Sequence, residues 1–255
     1  MNFFFGFKNT LFNSELVVPR FQNCGKTRDY YSLFSAEIDD GKWLIKNISE
    51  NHDKDFFYIN NNIIDSHKIF FISNEYETNL MKKKKFTELL NLNNFTNTNP
   101  EFRANFKIKN QKGGYSSYQS DYPYEMTKIN GNILSSLFSL TNKDADKNYI
   151  ILRNIYYKPL IENFIAFIIN LKTKKILDSV TLRTNYTNII ELEKSFVNED
   201  CYLFTKSYIG IPIFLSSKND HLSLEHTLPL TSYVLSSNKY KLVSDIKREL
   251  NEITN

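Results

Sequence analysis

The chain has 255 residues, of which 41% are hydrophobic, 15% aromatic and 24% charged, enough apolar material for one large core or two modest ones. That composition excludes a disordered chain. Seven glycines and six prolines, about half the usual share, exclude collagen-like and linker-like classes. A formal charge of +4 from 32 basic and 28 acidic residues is too slight for a dedicated nucleic-acid binder.

The N-terminal run Phe3-Phe4-Phe5-Gly6-Phe7 is apolar but short, has no basic region before it and is broken by Lys8. It reads as a packed arm rather than a leader. No window approaches the ~20 apolar residues of a membrane helix. Cys24 and Cys201 stand far apart, in neither a disulfide framework nor a metal spacing, so a reduced, cytoplasmic protein is expected. The glycosylation pattern occurs at Asn47-Ile-Ser49, Asn94-Phe-Thr96 and Asn185-Tyr-Thr187, and carries no weight without export.

Glu15–Arg20 followed by Gly25-Lys26-Thr27 imitates the end of a phosphate-binding loop. Arg20 occupies the position where that motif demands glycine, and strands rather than a helix follow. Arg20, Lys26 and Arg28 could still gather a small anion-binding patch; the plainer reading is a solvated loop. Residues 30–73 read as strand pairs. Tyr30–Ile38 and Trp43–Ile48 flank Asp39-Asp40-Gly41, a turn that can place glycine at positive φ. Phe56–Ile59 and Ile69–Ile72 flank Asn60-Asn61-Asn62 and read as a second hairpin. Residues 78–92 predict a short helix around Lys82 to Lys85, with the polar stretch Asn91–Pro100 as the best boundary.

From 102 to 228 the pattern is almost purely β. The runs are Phe102–Lys109, Tyr115–Tyr118, Ile133–Leu140, Tyr149–Tyr157, Phe164–Leu171, Leu177–Arg183, Ile189–Leu192, Tyr202–Tyr208, Ile211–Leu215 and Leu222–Leu224. Phe106–Lys109 alternates as a half-exposed strand does, whereas Phe164–Ile169 is apolar on both faces, as in a central strand. Lys172–Lys175 makes an exposed hairpin tip. Asp144–Asn148 begins like a calcium loop, but Tyr149 replaces its glycine and Ile155 its closing glutamate.

At the end the period changes. Tyr240, Val243, Ile246, Leu250 and Ile253 recur every three or four residues, with Ser237 or Asn238 placed to cap. This predicts an amphipathic helix that packs on the sheet or docks a protein partner. The fold expected is mainly β, an antiparallel β-sandwich of immunoglobulin-like or jelly-roll-like type. It divides into a β-rich N-terminal region (1–95), a sandwich domain (101–235) and a C-terminal helix (236–255).

Two segments concentrate chemistry. Gly113–Tyr124 holds four tyrosines, three serines, Gln119 and Asp121. Flat apolar rings beside many hydrogen-bonding groups suit a polar small molecule or glycan, with Tyr115, Ser117, Tyr118 and Asp121 as candidate ligand-binding residues. The plainer alternative is a hairpin strand whose tyrosines pack on the sheet. Asp220–Thr227 holds His221, Glu225 and His226, candidates for catalysis or for a divalent metal. Its H-x-x-x-E-H spacing matches neither zinc-protease signature. In a strand His221 and Glu225 face one way and His226 the other, so a metal site needs a bulge or turn near Glu225 and further ligands such as Asp121 or Asp220. The expected function is therefore a binding or accessory protein for a polar ligand, with a His–Glu or metal-assisted enzyme as the alternative.

Overall fold

The structure is a computed structural model that describes residues 2–24, 27–73, 104–123, 126–127, 133–226 and 237–255. The expected helix at 78–92, the boundary at 91–100 and the sequon asparagine Asn94 lie outside the described residues. The chain is mainly β, with antiparallel sheets and one C-terminal helix. It forms two compact units, and each draws on separate stretches of sequence: residues 1–128, 155–161 and 185–187 in the first, 129–154, 162–184 and 188–255 in the second.

In the first unit the strands are β1 (Asn2–Phe4), β2 (Phe12–Pro19), β3 (Phe21–Cys24), β4 (Thr27–Tyr30), β5 (Ser32–Asp39), β6 (Lys42–Asn47), β7 (Phe56–Ile59), β8 (Ile69–Ser73), β9 (Asn105–Asn110), β10 (Tyr115–Gln119) and β11 (Asp121–Pro123). They make a five-stranded sheet, β11-β1-β8-β5-β6, and a four-stranded sheet, β10-β9-β2-β7. The N-terminal arm belongs to the core. Phe3, Phe4, Phe5 and Phe7 have no exposed surface, and each buried ring contributes roughly 1.5–3 kcal/mol. Phe3 meets Phe71 of β8 edge-on at 6.0 Å, while Phe5 and Phe7 meet Phe106 of β9 at 6.3 and 6.0 Å. The arm thus packs its rings on both sheets, Phe3 against β8 of one and Phe5 and Phe7 against β9 of the other.

Turn chemistry places the β5–β6 hairpin where Asp40-Gly41 predicts it, with both residues at positive φ (45° and 68°) and Asp39 opposite Lys42. The second expected hairpin is not formed. β7 pairs with β2, and β8 with β5 and β1. The Asn60 carbonyl accepts from the amides of Ile63 and Ile64, so the chain turns away and carries β8 into the other sheet. Residues 21–30 also fold as a hairpin, β3 against β4, which is not the strand–loop–helix of a nucleotide site.

The second unit contains β12 (Ile133–Ser136), β13 (Lys147–Arg153), β14 (Asn163–Asn170), β15 (Lys175–Arg183), β16 (Thr187–Leu192), β17 (Cys201–Thr205), β18 (Ile211–Lys218), β19 (His221–His226) and the C-terminal helix (Ser237–Ile253). Its sheets are β12-β17-β14-β15 and β16-β13-β18-β19. β14 lies between two neighbours and is buried over most of its length, as its doubly apolar sequence requires. The β14–β15 hairpin turns at Lys174, where φ is 54°. Leu250 of the helix is buried against Phe167, Ile169 and Phe204, with Ile246 and Ile253 packed beside it. Lys174 pairs with Glu249 at 2.8 Å, and Lys206 Nζ donates to the Thr254 carbonyl and to Asn255 Oδ1. This part of the amphipathic stripe covers the chain's own sheet, so it is not a free docking face for a protein partner.

Candidate functional site

The two sheets of the first unit differ in how they meet water. β5 and β8 are buried on both faces through most of their length. In the four-stranded sheet β2 and β7 alternate cleanly between buried and accessible residues, and β9 does so over most of its length. Leu16, Val18, Phe57, Ile59, Phe106 and Ile108 point into the core, and period two sends their neighbours outward.

Register fixes the layout of that outer face. Tyr115, Lys109 and Asn13 stand side by side at one edge, followed by a rank of Ser117, Lys107 and Glu15. The third rank is Gln119, Asn105, Val17 and Tyr58, and Pro19 with Phe56 forms the last. Tyr115 is 69% exposed, Phe56 39% and Tyr58 38%, so aromatic rings lie accessible at two opposite corners. Amide, hydroxyl, ammonium and carboxylate groups, with Val17, occupy the ground between. Lys109 Nζ meets Glu15 Oε1 at 2.9 Å, and Asn61 Nδ2 donates to Asn13 Oδ1 at 3.0 Å.

The loop entering β7 fixes the Tyr58 corner. Asp53 Oδ1 accepts the amides of Asp55 and Phe56 at 2.8 and 2.7 Å, and Oδ2 accepts the Tyr58 hydroxyl at 2.5 Å. Arg20 anchors the same loop: its Nη1 donates to the Asp53 carbonyl at 2.8 Å and meets His52 Nδ1 at 2.7 Å. His52 Nδ1 also lies 2.8 Å from the same carbonyl oxygen, so guanidinium, imidazole and carbonyl form one cluster. The Arg20 guanidinium carbon lies 5.5 Å from the centre of the Tyr30 ring and 5.6 Å from that of Phe57, within cation–π range. Arg20 thus works as a clamp on this loop; the side chains of Lys26 and Arg28 lie outside the described residues.

Of the residues singled out in the sequence, Tyr115 and Ser117 share the open face. Tyr118 pairs with Phe106 and therefore points to the opposite side. Asp121 belongs to β11 in the other sheet, opposite Phe4, and its Oδ1 accepts the Ala104 amide at 3.1 Å. Phe56, Tyr58, Asn105 and Asn13 escaped sequence reasoning. Only Asn105 carried a signal, the polar–apolar alternation of Asn105–Asn110; Phe56–Ile59 is apolar throughout and Phe12–Pro19 has no period of two, so neither marks its outward residues.

The histidine segment stays an unbroken strand. β19 pairs residue for residue with β18 from Lys218↔His221 to Ile213↔His226, with no bulge near Glu225. His221 and Glu225 share one side, about 13 Å apart along the strand, while His226 lies on the other side beside Ile213. Among the described residues no group of three His, Cys, Asp or Glu side chains gathers so as to hold a metal, and no helix is long and apolar enough to cross a membrane. No protein-family model, no curated protein and no solved structure matches this chain.

Proposed function

We propose that this chain is a binding protein that recognises a polar ligand of the carbohydrate class on the open face of the β10-β9-β2-β7 sheet. The observation that carries the reading is the gathering of Tyr115, Ser117, Gln119, Asn105, Asn13 and Tyr58 on one water-facing surface. Core packing does not account for that combination, since the buried side of the same strands supplies the core. Sugar rings present apolar C–H faces and many hydroxyls. Exposed Tyr and Phe rings match the former through their electron-rich faces, and side-chain amides, which both donate and accept, match the latter. The near-balance of Lys107 and Lys109 against Glu15 gives no cationic track for a nucleic acid.

The test is binding of the purified chain to an immobilised panel of neutral and acidic glycans, repeated with Tyr115→Ala, Tyr58→Ala and Tyr118→Ala. The expected result is a glycan signal that falls at least tenfold in the first two variants and persists in the third, whose ring faces away. An unchanged signal in both outward-facing variants would place recognition elsewhere and overturn the reading.

A further inference from the structure

We infer that the ligand of this face is an extended, uncharged polysaccharide segment lying diagonally across the sheet from Tyr115 to Tyr58 and Phe56, and not a monosaccharide held at one point. This deepens, and rests on, the carbohydrate reading above.

Dimension is the first argument. Tyr115 lies on β10 at one edge of the sheet and Tyr58 on β7 at the other, with β9 and β2 between them. Their ranks differ by the four residues that separate Asn13 from Val17 on β2. Three strand spacings of about 4.8 Å and a rise of about 3.3 Å per residue put the two rings roughly 20 Å apart on the diagonal. A single sugar ring touches one corner only, whereas an oligomer crosses both.

The ground between the corners is the second argument. Lys107 and Glu15 of the middle rank lie directly under the diagonal, with Ser117 and Asn105 to one side of it. The hydroxyl and the amide each offer a donor and an acceptor from a short side chain, and the ammonium and carboxylate add further donors and acceptors. This is a distributed set of hydrogen-bonding groups, matched to a ligand that repeats its hydroxyls along its length.

Charge is the third. Lys109 is already paired with Glu15, and Lys107 stands directly opposite the same glutamate. Sulfated or phosphorylated polymers are held by cations free to release counterions, and this face presents no such row. Preorganisation completes the argument. The Tyr58 hydroxyl is tied to Asp53, so its ring is oriented before any ligand arrives and little ordering remains to be done on binding.

Chain-length dependence tests the inference. Calorimetric titrations would use glucose, mannose, xylose, galactose and N-acetylglucosamine, each also as its linear dimer, tetramer and hexamer, with heparin as the acidic comparison. For at least one neutral series the affinity is expected to rise tenfold or more from monomer to hexamer. Tyr115→Ala and Tyr58→Ala should each reduce the hexamer to the affinity of the dimer, at unchanged melting temperature for Tyr115→Ala and with native secondary structure retained for Tyr58→Ala, which also loses the bond to Asp53. Tyr58→Phe, which keeps the ring but loses the bond that orients it, should fall between wild type and Tyr58→Ala. A monosaccharide that binds as tightly as its hexamer, or preference for heparin, overturns the extended neutral ligand and leaves carbohydrate recognition standing. Binding to no carbohydrate in the series or on the panel overturns the carbohydrate reading, and this inference with it.

Discussion

Tyr58 donates its phenolic proton to Oδ2 of Asp53 across five residues of one tight loop, at 2.5 Å. The bond moves both groups. Chiefly through it, and then through the amides of Asp55 and Phe56, the Asp53 carboxyl sits below the usual aspartate range, while the Tyr58 phenol is pushed above its ordinary value. A lowered carboxylate pKa stabilises the fold above the unfolded value near 3.9, and that contribution is lost as pH falls through the folded value. A raised phenol acts in the opposite sense: its contribution is complete below about pH 10 and disappears as pH rises through the folded value. Tyr58→Phe should bring the Asp53 carboxyl back toward the ordinary range, read as a higher titration midpoint of its side-chain carbon resonance. An unmoved midpoint would show that the two amides alone set it.

Asn185 holds three backbone groups of the first unit. It sits at φ 52° and is buried. Its Oδ1 accepts from the Tyr156 amide at 2.7 Å, and its Nδ2 donates to the carbonyls of Lys158 and Leu160 at 2.9 and 2.8 Å. Asn185→Ala strands those three groups and keeps a β-carbon in the left-handed region, so a loss of about 3 kcal/mol is expected in denaturant unfolding. Asn185→Gly removes the same bonds without the conformational penalty and should cost about 1 kcal/mol less than Asn185→Ala.

Two glycines separate crowding from conformation. A β-carbon on Gly210 would lie 2.4 Å from the backbone carbonyl oxygen of Arg153, which cannot swing away; on Gly41, at φ +68°, it would meet nothing within 4 Å. Gly41→Ala is therefore expected to cost about 1–2 kcal/mol from the left-handed backbone alone. Gly210→Ala should cost about 4 kcal/mol or more, or prevent accumulation of folded protein. Equal melting temperatures for the two variants would contradict this packing at Gly210.

The helix contact can be tested at its centre. Leu250 is 2% exposed, and Leu250→Ala should destabilise by about 2–5 kcal/mol, the range for buried leucines. Lys174→Ala removes the exposed ion pair with Glu249 and should change stability little. A near-neutral Leu250→Ala would mean that the helix leaves its sheet in solution.

Cys201 is fully buried, and burial, as the largest influence, pushes its thiol up. In a Cys24→Ser background, native protein should react with a thiol reagent only on the timescale of opening, and completely once denatured. Rapid labelling of the native state would show that β17 opens locally.

Elements whose rules are local were legible in the sequence, and features built from distant segments were not. Asp40-Gly41 and Lys174 mark hairpin turns because a few residues decide them. Leu250 and its neighbours read as a helix because period 3.6 runs within a single segment. Phe56–Ile59 and Ile69–Ile72 invited pairing with each other because they are close in sequence, yet each finds its partners elsewhere, and nothing in their composition names those partners. The open face has the same origin. Its residues come from 13–19, 56–58, 105–109 and 115–119, each an ordinary half-exposed strand by itself. The alternation that put Tyr115 and Ser117 on one side also put Tyr118 on the other, a division already present in the two-residue period. Asp121 was grouped with them by proximity along the chain, but only Ser120 separates β10 from β11, and the two strands join different sheets.

The composition of the first unit has a consequence during synthesis. Thr187 donates to the carbonyls of Gly6 and Ser66, and the Trp43 indole nitrogen donates to the Tyr157 carbonyl. The N-terminal strands can gather early, yet their last partners emerge only with residue 187. At translation rates of about 5–20 residues per second, the 64 residues from Pro123 to Thr187 take roughly 3–13 seconds to follow. Through that interval the phenylalanine-rich arm depends on an incomplete core, and shielding by a ribosome-associated chaperone would matter most then.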